Sequence, residues 1–198
     1  WVVQLKALFA RTEIWERLNR KMRRKIDRIR AILIVAIDVA SRCILGMRLS
    51  LTESTQAALD TLKMIVMDKG RFADAVGALS PWHMHCGIEQ LVFDQGSAFV
   101  SEEFQNAVLS LNAAPFAPPA GLAYLRGHVE RVLSTLHTGL ISRFDGQTFE
   151  NVVAKGDYHS ENNATLTIEQ LCWALVRYVV DAYHNSPHAG LGGETPAH

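Results

Sequence analysis

The seven-residue apolar run Ala31–Ile37 constrains this chain more than any other stretch. It is rich in β-branched residues and far short of the roughly 20 apolar residues that a membrane span needs. Its length and composition suit a buried strand, which calls for a sheet with helices packed against it. The chain's 198 residues, 48% of them hydrophobic, are enough material. At this length folding buries roughly 70% of the unfolded surface, so the core needs no metal or disulfide staple. Whole-chain disorder and coiled coil are excluded. The chain opens on Trp1 rather than Met, which points to a piece of a longer protein.

Around that run the pattern alternates strand and helix. Trp1, Val3, Leu5, Ala7 and Phe9 alternate with Gln4 and Lys6, the period of an opening strand. Thr12 begins a helix over about 12–30 with Ile14, Trp15, Leu18, Met22, Ile26 and Ile29 on one stripe. The turn Asp38–Arg42 joins the apolar run to a strand over Cys43–Leu51, which predicts a hairpin. A helix over Glu53–Met67 ends near Gly70, a natural C-cap. A looser stretch, Arg71–Gly87, leads to a strand over Gln90–Phe93. Ser101 caps a helix that turns Phe104, Ala107, Val108 and Leu111 inward. Pro115, Pro118, Pro119, Gly121 and Gly127 predict a loop, followed by a helix over Gly127–Ser142. The last helix, about 167–184, starts with the capping box Thr167–Gln170 and is expected to bury Ile168, Leu171, Cys172, Leu175, Val176 and Val179. These elements predict one α/β domain over 1–198, a mixed sheet flanked by helices.

Twenty basic and twenty acidic residues cancel, so net charge gives no argument for nucleic acid. The distribution does. Arg17, Arg20, Lys21, Arg23, Arg24, Lys25, Arg28 and Arg30 fall within fourteen residues, against Asp27 alone. Such a cluster is either a solvated helix face or a DNA contact through Arg20, Arg23 and Arg24. Cys43, Cys86 and Cys172 are odd in number and widely spaced, which fits a reducing compartment. His83, His85 and Cys86 lack a second ligand pair at zinc-finger spacing and read as surface residues.

Two acids stand out by position. Asp94 directly follows the strand Leu91–Phe93 on a Gly96-containing turn. Glu130 lies at the edge of a helical apolar stripe, with Ser134 and His137 at i+4 and i+7. A strand end facing a helix edge can bring two carboxylates together, where Mg²⁺ or Mn²⁺ would offset their repulsion. Each acid by itself is equally read as a cap or a solvated side chain.

The same residues resemble a family. Ile34–Gly46 resembles the second and third strands of the DDE transposase and retroviral-type integrase core. Val92–Ser101 resembles the segment with that family's second catalytic Asp, and Gly127–Arg131 the segment with its Glu. Thirty-five residues separate Asp94 from Glu130, as the D,D(35)E pattern asks. Tyr183–His188 followed by Leu191–Pro196 resembles the family's closing segment, so the likeness spans 31–196. Arg42–Gly46 resembles the hairpin of Mu-transposase-like bacterial elements.

The resemblance implies an RNase H-like mixed five-stranded sheet and metal-dependent DNA cleavage and strand transfer. It implies Asp94 and Glu130 as catalytic metal ligands, Mg²⁺ or Mn²⁺ as cofactor, and transposon-end and target DNA as partners. Homo-oligomeric assembly on DNA, no membrane, and a bacterial cytoplasmic, nucleoid-associated setting follow from it. Arg131, Ser134 and His137 would meet phosphate or terminal bases, although Arg131 reads equally as a solvated neighbour of Glu130. The family's first Asp sits on the first strand, and Trp1–Phe9 holds no acid. The missing ligand is therefore expected upstream of Trp1, with Asp38 the lesser candidate. Gln95, where relatives often carry Asn, is a milder departure. A hydrolytic RNase H-like nuclease and a non-catalytic DNA-binding or assembly module are the rival readings.

Overall fold

The computed structural model describes residues 2–10, 29–119, 127–144 and 167–198. The expected basic helix, with Arg20, Arg23 and Arg24, lies outside them. Strand β1 (Val2–Ala10) pairs antiparallel with β2 (Ile29–Ile37), and β2 with β3 (Ile44–Ser50). The opening strand and the hairpin thus fall where the alternation and the apolar run place them. Val35 pairs with Val3 on one side and Met47 on the other.

Helix α1 (Thr55–Val66) follows, then the short α2 (Gly70–Ala75), β4 (Gln90–Val92), α3 (Ser97–Val100), α4 (Glu102–Ser110) and β5 (Ala114–Phe116). Helix α5 (Gly127–Gly139) runs into a 3₁₀ turn at Ile141–Arg143. Helix α6 (Ile168–Arg177) continues as a π-helical turn over Tyr178–Tyr183.

Strand β2 divides two cores. Ala31, Leu33, Val35 and Ile37 pack with Val129, Val132, Leu133 and Leu136 of α5 and with Leu171, Leu175 and Val179 of the C-terminal helix. Ile34 and Ala36 pack with Ala58, Leu62 and Ile65 of α1, with Leu91 and Phe93, and with Phe99 and Phe104. The period of two explains why the run is apolar throughout: both of its faces are covered. Close approach of α1 to the sheet depends on Gly46, where a Cβ would come within 2.7 Å of the Thr61 carbonyl.

Several expectations need correcting. Five strands are present, but among the described residues they form a three-stranded antiparallel sheet and a separate two-stranded parallel one, β4–β5, rather than one five-stranded sheet. Strand β2 has partners on both edges, and among the described residues β4 pairs with neither β1 nor β3. A pocket of about 700 Å³ is lined by both Ala36–Asp38 and Gln90–Val92. Residues 114–116, expected in a loop, pair with β4 because Pro115 needs no donor on a sheet edge. Gly70 opens α2 instead of ending α1. The Nζ of buried Lys69 caps α1 by donating to the carbonyls of Met64 and Met67. Helix α5 ends at Gly139, short of Ser142. Cys172 is exposed rather than buried.

Candidate functional site

Strand β4 delivers Asp94 to its carboxyl end. Leu91 and Phe93 face one core while Val92 packs against the other, so alternation turns Asp94 to the side of Val92. The Asp94 Oδ1 accepts from the Gly96 N–H at 2.9 Å, an Asx-type turn. A Cβ at 96 would lie 2.8 Å from that oxygen, so a larger residue there would shift the Asp94 carboxylate. The neighbouring Gln95 Nε2 donates to the Pro118 carbonyl at 3.2 Å and ties the turn to the segment after β5.

Glu130 stands in the first turn of α5 and is exposed. Its neighbour Val129 is fully buried, in the same core that takes Val92. A carboxylate in a first turn also complements the helix dipole. Arg131 and Ser134 are exposed on α5, and His137 is half-buried. Thr135 donates to the Arg131 carbonyl and Thr138 to that of Ser134, both at 2.9 Å.

Asp38 is placed quite differently. Its Oδ2 accepts from the Ser41 N–H at 2.7 Å and from the Ser41 hydroxyl at 2.6 Å. Burial pushes its carboxyl up, but these bonds and one from the Ala40 N–H outweigh burial and hold it below the ordinary aspartate value. The hairpin it closes is fixed from several sides. Ile44 N–H donates to His184 Nε2 and Trp82 Nε1 to the Ile44 carbonyl, both at 3.0 Å. The Tyr183 hydroxyl donates to the Arg42 carbonyl at 2.9 Å. Burial, reinforced by the Lys69 cation, pushes His184 down to about 4.

One group escapes a search by acid spacing. Arg42 adopts a left-handed backbone (φ 64), and its Nε and Nη1 are buried without a hydrogen-bond partner among the described residues. Burial, then Arg42 and Arg131, then His188 lower the His128 pKa. His188 is likewise lowered by burial first and then by Arg42 and Arg131. His128 and His188 do stand in the motifs quoted above. The convergence with Arg42 needs the fold.

No group of three or more His, Cys, Asp or Glu among the described residues could hold a metal ion. No helix among them is long and apolar enough to cross a membrane.

Residues 16–146 match the family model of the TnsB C-terminal domain. No curated protein matches the chain. A chain of the simian T-cell lymphotropic virus intasome in complex with PP2A regulatory subunit B56 gamma, solved by cryo-EM, aligns with a TM-score of 0.50 at 17% identity, covering 85% of this chain and 48% of that one. The present chain thus spans about half the length of that relative. The HTLV-2 integrase catalytic core domain in complex with magnesium (trimeric form) aligns at 0.46 and 14% identity, covering 99% and 89%. The catalytic core domain of BIV integrase aligns at 0.44 and 17% identity, covering 84% and 83%. At these identities the intasome chain bears on fold alone, and the fold in common is mixed α/β.

Proposed function

The chain belongs to the TnsB C-terminal domain family, whose match covers more than half of its residues, and on that premise we propose that it is an RNase H-like, DDE-type core for DNA cleavage and strand transfer, nearest to Mu-like bacterial elements. The observation that carries this reading is a shared core. Val92, two residues before Asp94, and Val129, one residue before Glu130, pack into the same cluster. A strand end and a helix edge resting on one core favour a meeting of their two carboxylates.

Asp94 and Glu130 are the proposed ligands of Mg²⁺ or Mn²⁺. Carboxylate oxygens suit these hard cations in kind, and Mg²⁺ often binds one or two carboxylates together with substrate phosphates. Such an ion would supply charge to activate the attacking oxygen and stabilise the leaving one. In this reading Asp94 keeps Oδ1 on the Gly96 N–H, which fixes its plane, and offers Oδ2 to the site. Exposed Glu130 reaches the site by a change of rotamer. Arg131, Ser134 and His137 hold DNA beside it, and Arg20, Arg23 and Arg24 neutralise backbone phosphates. Assembly of several copies on transposon-end and target DNA, in a bacterial nucleoid, completes the proposal.

A second reading has its own support. The β1 sequence VVQLKALFA contains no acid, and two carboxylates fall short of the DDE set. That favours a DNA-binding or assembly module without catalysis. A strand-transfer assay on the parent protein with Mg²⁺ or Mn²⁺ separates the two. Product formation lost on Asp94→Asn and on Glu130→Gln supports the catalytic core. DNA bound but left intact by the parent, with both variants binding equally well, supports the module.

A further inference from the structure

We propose that Arg42, His128, Arg131 and His188 form a seat for a single phosphate group. Two distant segments meet there, the β2–β3 turn and the stretch after the C-terminal helix, and the charge of Arg131 on the first turn of α5 reaches His188.

Arg42 is the best fixed of the four. Its N–H donates to the Asp38 carbonyl at 3.0 Å, and its own carbonyl accepts from the Tyr183 hydroxyl. A long side chain at positive φ persists only where the surroundings over-determine it, and such positions gather at functional sites. The buried Nε and Nη1 carry N–H groups with no acceptor among the described residues. Buried donors in that condition are costly, and a guanidinium is the side chain best shaped to hold a phosphate in two bonds.

His188 flanks the same point. A Cβ placed on Gly190 would lie 3.2 Å from His188 Nδ1 and 3.7 Å from Arg42 Nε. His188 Nδ1 accepts from the Gly190 N–H at 3.1 Å, which leaves Nε2 as the donor of the neutral ring. His128 and Arg131 stand three residues apart on α5, on one face at its N-terminal end. Helical geometry sends the intervening Glu130 roughly 100° away from Arg131.

No ion pair to Arg42 or Arg131 forms among the described residues. Asp38 gives its Oδ2 to Ser41, and Glu194 lies 3.7 Å from His198. After burial, the Arg42 and Arg131 charges are what depress His188, so these two cations and any proton on its ring repel one another. A tetrahedral anion would reverse that repulsion and accept from the unpaired guanidinium. A DNA backbone phosphodiester and a free phosphate present the same oxygens, so the source is left to the test.

Inorganic phosphate titrated into the 198-residue chain, followed by calorimetry and thermal melting, tests the seat. Wild type is expected to bind saturably and to melt higher with phosphate. Arg42→Asn removes the guanidinium while Asn tolerates the left-handed backbone. It should melt as wild type without phosphate and bind it about tenfold or more weakly, as loss of a charge-assisted bond implies. Unchanged phosphate affinity in a normally melting Arg42→Asn overturns the proposal. If that variant melts low, the pair His128→Gln and His188→Asn decides instead, since Asn can still accept from Gly190. Wild-type affinity in that pair overturns it equally.

A duplex DNA arm assigns the source. A salt slope reduced by about one in Arg42→Asn places a backbone phosphate in the seat. An unchanged slope with lost phosphate affinity keeps the seat and assigns it to free phosphate. Because Asp94→Asn should leave phosphate binding intact while removing strand transfer, failure of the catalytic reading and failure of the seat give different results.

Discussion

Two turns in this chain share one syntax and diverge in what they leave available. Asp38-Val-Ala-Ser41 ends β2, and Asp94-Gln-Gly-Ser97 follows β4. In the first, Ser41 gives its N–H and its hydroxyl to one carboxylate oxygen, and Tyr183, His184 and Trp82 lock the flanking backbone. In the second, the acid accepts from the Gly96 N–H alone among the described residues. Ser97 makes no bond like that of Ser41 among the described residues; it opens a helix with Gly96 in the cap position. An Asp at a strand end is therefore structural or available according to what the following residues do, and the one-letter pattern does not separate the cases.

The sharpest way to break the comparison is acid. His184 is 1% exposed and accepts from the β3 backbone, so it serves the hairpin only while neutral. With its folded pKa lowered to about 4, the stabilisation is full above the unfolded value near 6.5 and is lost as pH falls between the two. Stability should drop by roughly 3 kcal/mol across that window, measured as urea midpoints against pH. His184→Gln, neutral throughout, should flatten the limb. An equally steep limb in that variant would remove His184 as its cause. Below about 4 the depressed carboxyl of Asp38 adds a second loss with the same sign, since stability lent by a lowered acid vanishes as it protonates.

Next in size is Asp38→Ala, which removes both Ser41 bonds from a half-buried turn. A cost of about 2 kcal/mol is expected, read from denaturant unfolding. A neutral effect would mean that the turn is held by its flanking locks alone. Tyr183→Phe isolates one of those locks. Loss of the bond to the Arg42 carbonyl should cost about 1 kcal/mol, and no change at all would make that lock dispensable.

Much of the first turn was legible in the residues. The apolar run, the turn and the following strand predict the hairpin, and two-sided burial explains a run with no polar alternation. Thr167 and Gln170 form the expected capping box, because both of its bonds are local. Non-local partners stayed hidden. Lys69, which no local pattern marks, caps α1 from a fully buried position. The edge strand at Pro115 looks like a loop until β4 lies beside it. Arg42 reads as one residue of a hairpin signature, and neither its positive φ nor its buried N–H groups leave a trace in composition or period. The place of Asp94 directly after a strand was legible, whereas a meeting with Glu130 depends on how β4 and α5 sit on the core they share.

The smallest expected effect on stability sharpens the comparison most. Asp94→Asn keeps an oxygen at Oδ1 for the Gly96 N–H and loses only the charge. It should change unfolding free energy by less than about 0.5 kcal/mol, as substitutions that break no buried bond usually do. The second turn, unlike the first, would then be shown not to need its carboxylate for the fold. Mn²⁺ titrations complete the test. The 198-residue chain should bind the ion weakly, since two carboxylates leave most of an octahedral shell to water, and Asp94→Asn should abolish that binding. A destabilisation matching Asp38→Ala would make both turns structural. Mn²⁺ binding that survives Asp94→Asn but disappears in Asp38→Asn would invert the assignment, making the Ser41-bound acid the ligand.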